Sequence, residues 1–129
     1  MVPSTGYNKT RTAVFISGTG SNLKSLIKFS RTAKSPISID FVISNNSKAK
    51  GLDYAKKFKI KKKVLNFKNK NLSEKELLSI LKINSIDMIC LAGFMKILSG
   101  NFIKKFKGNI LNIHPSLLPK YKGLNTHER

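Results

Sequence analysis

The sequence predicts an α/β fold built on an open, mostly parallel, doubly wound sheet. Three observations carry that expectation. Short apolar runs suited to strands alternate with stretches of helical period. The first run, residues 12–17, passes directly into the glycine turn Gly18-Thr19-Gly20 and then into a helical pattern, which is the opening half of a βαβ unit. A later run, Leu111-Asn112-Ile113-His114, follows a glycine turn and stops at Pro115, which has no amide hydrogen for a ladder.

The elements follow in order. Residues 12–17 form a continuous apolar run, as a strand buried on both faces requires. Leu23, Leu26 and Ile27 then mark one face of a helix. Residues 37–44 read as a second strand ended by Asn45-Asn46, and residues 50–59 as a helix that turns Leu52, Ala55 and Phe58 inward. Val64-Leu65 is a short third strand, and residues 66–71 are a polar, lysine-rich loop. Ser73-Glu74-Lys75-Glu76 has the form of a capping box that opens a helix bearing Leu77, Leu78, Ile80 and Leu81. Residues 86–92 are the next strand, with Asp87 a turn residue near its start. Ser99 is placed to cap a short helix carrying Phe102, Ile103 and Phe106.

The 129 residues suffice for one core, and a hydrophobic content of 40% is that of a folded domain. The net charge of +19 points first to polyanions. Yet almost all of it is lysine, with arginine only at 11, 31 and 129, and few aromatics are interleaved to stack on bases. Specific nucleic-acid recognition is therefore not expected. The single cysteine, Cys90, sits in an apolar run and reads as a core thiol, and no ligand spacing supports a metal site. Residues 1–10 have the composition of a flexible extension without the apolar core of a signal peptide, and no stretch reaches the length of a membrane span. A cytoplasmic protein is expected.

Three stretches carry chemistry, and the predicted topology brings all of them to strand carboxyl ends, where open parallel sheets bind ligands. The turn at 18–22 lacks the third glycine of a dinucleotide fingerprint and the Gly-Lys of a Walker loop. It retains hydroxyls and free amides at a helix N-terminus, a cradle for one phosphate; the alternative is that Gly18 and Gly20 serve only a tight turn and Ser21 is an N-cap. The loop Phe94-Met95-Lys96-Ile97-Leu98 either lines a slot for a flat ligand or fills core where loop meets sheet, and taken alone the second reading is preferred. Asn112 and His114 fall on one face of their strand. Together they suit acyl transfer, the amide donating to an oxyanion and the imidazole moving a proton; they could equally tie down a proline-rich loop.

With these residues assembled, the sequence resembles the glycinamide ribonucleotide (phosphoribosylglycinamide) formyltransferases of purine synthesis. The motifs are residues 16–23 (Ile-Ser-Gly-Thr-Gly-Ser-Asn-Leu), residues 91–99 (Leu-Ala-Gly-Phe-Met-Lys-Ile-Leu-Ser) and residues 111–119 running on to Thr126-His127, in the family's order and spacing. The resemblance implies a Rossmann-like formyltransferase domain. It also implies a substrate phosphate held by Gly20, Ser21 and Asn22, and a pterin slot for the co-substrate 10-formyltetrahydrofolate lined by Met95, Lys96, Ile97, Leu98 and Asn112. Asn112 and His114 match the catalytic pair, and no metal takes part. Family members usually carry arginine where Lys96 stands, and a folate-binding arginine in the region of residues 66–75, where this chain has only lysines. Methionyl-tRNA formyltransferase lacks the Ser-Gly-x-Gly-Ser-Asn turn, and formyltetrahydrofolate hydrolase carries an extra regulatory domain. Family chains continue past Thr126-His127 with a catalytic aspartate and the rest of the folate pocket, so residues 11–129 are expected to be the N-terminal portion of the domain, with little or no activity alone. The competing reading is a non-catalytic, lysine-rich phosphate- or nucleic-acid-binding module.

Overall fold

A computed structural model of the chain describes residues 9–113. His114 and the proline-rich stretch after it lie outside the described residues. Among those described, five strands form one parallel sheet: β1 (Thr10–Ile16), β2 (Ile37–Ser44), β3 (Lys61–Val64), β4 (Met88–Leu91) and β5 (Asn109–Asn112), in the order β3-β2-β1-β4-β5. Four helices connect them: α1 (Ser21–Ser30), α2 (Gly51–Lys57), α3 (Lys70–Ile83) and α4 (Gly100–Lys105).

The sheet is doubly wound, as the alternation of elements requires. Alternate residues of β1 point to opposite faces. Val14 and Ile16 meet Leu23, Leu26 and Ile27 of α1 and Leu52 and Ala55 of α2. Ala13 and Phe15 meet Leu77 and Leu81 of α3, Phe102 of α4 and Phe106 at its C-terminal end. Residues 13–16 are all 0% exposed, which accounts for an apolar run without alternation. The chain winds outward from β1 through β2 to β3, then returns to β1's other side through β4 to β5. The order therefore reverses between β1 and β4, and the crevice at their carboxyl ends is the topological switch point.

Several boundaries differ from the sequence reading. β1 takes in Thr10, whose N–H donates to Pro36 O at 2.8 Å, so regular structure reaches into the stretch read as extension. Ser21 is not the N-cap of α1. Gly20 holds that position with φ +80°, and α1 has no side-chain cap. β3 is not Val64-Leu65 but begins at three lysines, because a strand at the sheet margin with exposed side chains needs no apolar residues. α3 starts before the supposed capping box, at Lys70. Its cap is Asn69, whose side chain accepts from Leu72 N–H at 3.1 Å, and the region read as a loop is partly helix. Ser73 and Glu74 are instead buried in the helix interior. Ser99 does cap α4, but Ile103 is 50% exposed while Phe102 and Phe106 pack inward.

Candidate active site

The rim at the carboxyl ends of the strands is assembled from four connections. β1 ends at Ile16 and delivers Ser17, Gly18 and Thr19 to Gly20, whose left-handed backbone turns the chain into α1. The first intrahelical bond of α1 runs from Lys24 N–H to Gly20 O at 2.8 Å. The amides of Ser21, Asn22 and Leu23 therefore precede the ladder at the positive end of the helix dipole. Gly18, Thr19, Gly20, Ser21 and Asn22 line a cleft of about 220 Å³ together with Ala92 and Gly93, which follow β4. The cleft thus lies at the switch point, and its walls carry backbone amides and hydroxyls but no carboxylate. Such a surface accepts a single anionic group.

The connection after β4 divides its side chains between two jobs. Phe94 and Leu98 pack on the core of the α3/α4 face, Phe94 meeting the rings of Phe15 and Phe67 edge-on with centroids 5.3 and 5.7 Å apart. Met95 and Ile97 are 77% and 80% exposed, and with Lys96, Phe67 and Lys70 they line a second hollow of about 280 Å³. The core-filling reading holds for the two ends of the loop, Phe94 and Leu98, while its middle faces solvent. Lys70 and Phe67 were not singled out by sequence. The lysine stands among many others in the chain, and Phe67 takes a left-handed φ of 58° that no local pattern foretells.

Asn112 is the last residue of β5 and pairs in register with Leu91, the residue before Ala92 of the first cleft. Ile110 and Leu91 pack on the α3/α4 face, and alternation puts Asn112 on that same face, exposed. The N–H of Ile113 donates to Leu91 O at 2.9 Å, which carries the pairing to the very edge of the rim. Gly20, Ser21, Asn22, the loop 95–98 and Asn112 therefore share one rim of the sheet.

A hub not foreseen from sequence joins these parts. Ser17 Oγ donates to Asn45 Oδ1, accepts the N–H of Met95 at 2.7 Å, and the Ser17 carbonyl accepts from Asn46 Nδ2 at 3.4 Å. The only available signal was that Asn45-Asn46 ends β2 at the same level as Ser17. Groups of other chemical types lie elsewhere. Asp87 is at the opposite rim, its N–H donating to Arg11 O at 2.9 Å. Cys90 is a core residue whose thiol burial pushes up to about 11. Among the described residues, no three His, Cys, Asp or Glu side chains cluster as metal ligands, and no helix is long and apolar enough to cross a membrane.

A family model described as formyl transferase matches residues 10–129. The trifunctional purine biosynthetic protein adenosine-3 of Homo sapiens is 50% identical over 124 residues, covering 94% of this chain and 12% of that protein. Phosphoribosylglycinamide formyltransferase of Haemophilus influenzae is 46% identical over 120 residues, covering 91% of this chain and 57% of the relative. The crystal structure of phosphoribosylglycinamide formyltransferase from Brucella melitensis superposes with a TM-score of 0.78 at 42% identity, covering 95% of this chain and 65% of that one. The chain thus spans little more than half the length of the bacterial relative from Haemophilus influenzae. With a family model matched over residues 10–129, this chain belongs to the formyl transferase family.

Proposed function

We propose that this chain takes part in transfer of a formyl group from 10-formyltetrahydrofolate to the amine of glycinamide ribonucleotide. The observation that carries this reading is the meeting of an anion-accepting cleft, an exposed apolar loop and a carboxamide at the switch point of the sheet. Gly20, Ser21 and Asn22 would hold the ribonucleotide phosphate on backbone amides and hydroxyls. Met95, Lys96, Ile97 and Leu98 would offer their backbone edge and apolar side chains to the pterin.

The chemistry is an addition followed by an elimination. The amine nitrogen attacks the formyl carbon, a carbon–nitrogen bond forms, and the carbonyl electrons move onto oxygen. Asn112 would donate a hydrogen bond to that oxyanion. His114 would stabilise it and carry the proton lost by the amine to the leaving N10 as the old carbon–nitrogen bond breaks. No metal enters this scheme, and its two substrates are small molecules.

A single-turnover assay with both substrates, beside calorimetric titration with glycinamide ribonucleotide, tests the reading. Transfer by this chain alone should be slight or absent, and in a full-length family member it should fall roughly 10²–10³-fold in the variants matching Asn112→Ala and His114→Ala. Ribonucleotide affinity should stay within twofold in both variants. Transfer unaffected by either substitution, with salt-sensitive binding of any polyanion, would instead support a non-catalytic phosphate- or nucleic-acid-binding module.

A further inference from the structure

The loop after β4 is fastened at both ends by side chains that lie outside it. At its start the N–H of Met95 donates to Ser17 Oγ at 2.7 Å. At its end the N–H of Ser99 donates to Glu74 Oε2 at 2.8 Å, and Ser99 Oγ donates to Glu74 Oε1 at 2.6 Å. Ser99 Oγ in turn accepts the N–H of Phe102 at 3.1 Å, the capping bond of α4. Glu74 is only 6% exposed, although it sits in a helix with much of its surface in water. Burying a carboxyl group is costly unless hydrogen bonds offset the lost hydration, and here both oxygens are directed at one residue. Between the anchors, Met95, Lys96 and Ile97 stand exposed. Ordering such a segment at the moment of binding would cost affinity, whereas fixing it beforehand does not.

We infer that Ser17 and Glu74 are positioning residues that fix the backbone of residues 95–98 as a preformed edge for a folate ring. Neither side chain need touch the ligand. The inference rests on the folate reading of that loop proposed above.

The variants Glu74→Gln, Ser99→Ala, Ser99→Thr and Ser17→Ala test it. The readouts are amide hydrogen exchange across 93–99, titration with folic acid, and titration with glycinamide ribonucleotide. Glu74→Gln and Ser99→Ala should speed exchange at 95–99 but not in β1 or β4, and should weaken folic acid binding about tenfold. Ribonucleotide affinity should remain within twofold. Ser99→Thr keeps the hydroxyl and should restore folic acid binding. Should Glu74→Gln fail to fold, Ser17→Ala releases the other anchor and should give the same loss. Unchanged folic acid affinity in the released variants overturns the inference and leaves the folate reading standing. Equal loss of both ligands, with faster exchange throughout the sheet, also overturns it, since Glu74 would then support the fold at large. A parent chain that does not bind folic acid at all overturns the folate reading, and this inference with it.

Discussion

Gly20 and Gly51 are packed back to back. Gly20 adopts φ +80°, a Cβ placed there would overlap the Cα of Gly51, and the N–H of Gly51 donates to Gly18 O at 3.1 Å. The turn that opens α1 therefore leans directly on the first residue of α2, and the rim cleft takes its shape from that contact.

Gly20→Ala should destabilise the protein by roughly 2–4 kcal/mol, from the left-handed backbone and the overlap together. Gly18→Ala, where a Cβ meets nothing within 4 Å, should change stability by no more than about 0.5 kcal/mol. Urea denaturation of the two variants measures the contrast. Equal losses would mean that the close approach is not what demands glycine.

Cys90 gives a pH dependence. Burial raises its thiol from 9.0 to about 11, so the unfolded chain releases this proton before the folded one does. The stability it contributes is complete below about pH 9 and is lost progressively as pH rises toward about 11, amounting to roughly 2–3 kcal/mol. Comparing the alkaline stability of the parent with that of Cys90→Ala isolates the effect. The parent's stability should fall more steeply between those limits, and the thiol should react with disulfide reagents only on unfolding.

Asp40 and Arg11 form an ion pair at 3.3 Å whose halves should not weigh equally. Arg11 is about half exposed, and Arg11→Ala should cost less than about 1 kcal/mol. Asp40 also accepts from Thr12 N–H at 3.3 Å and Ser38 Oγ at 2.6 Å, beside the register shift between β1 and β2. Asp40→Ala leaves the amide of buried Thr12 without that acceptor and should cost about 1–3 kcal/mol. Thermal melts at one salt concentration rank the pair.

Phe102 is 0% exposed and its ring stacks on Phe106 with centroids 6.3 Å apart. Phe102→Ala should cost roughly 3–5 kcal/mol in chemical denaturation. Ile103→Ala, one residue along but half exposed, should cost well under half as much, which checks the inward face of α4.

The elements that sequence places well are those whose signals are local. β2 falls on residues 37–44 as its apolar content indicates, and the N-cap at Ser99 is correct because Phe102 N–H lies within reach of its hydroxyl. Errors arise where a distant partner overrides a local pattern. Ser73-Glu74-Lys75-Glu76 has every feature of a capping box, yet its acid, Glu76, pairs with Lys63 at 3.5 Å and Asn69 does the capping. β3 escapes because its lysines are tolerated by position in the sheet, and position is not written in the run itself. In the candidate site, the glycine turn, the β4 loop and Asn112 were legible as motifs, and parallel topology accounts for their meeting on one rim. Ser17, Phe67 and Lys70 were not, since each acts through contacts that exist only after the sheet has formed.

At one margin of the sheet β3 displays Lys61, Lys62 and Lys63 in succession, and among the described residues an acid, Glu76, pairs only with the last of them at 3.5 Å. A second molecule offering its own β3 for zippering would set ammonium against ammonium along the whole seam. That mutual refusal reaches about 10 Å in 0.1 M salt and about 3 Å in 1 M. Pairing of two molecules through β3 is therefore opposed in dilute buffer, and concentrated salt weakens that opposition.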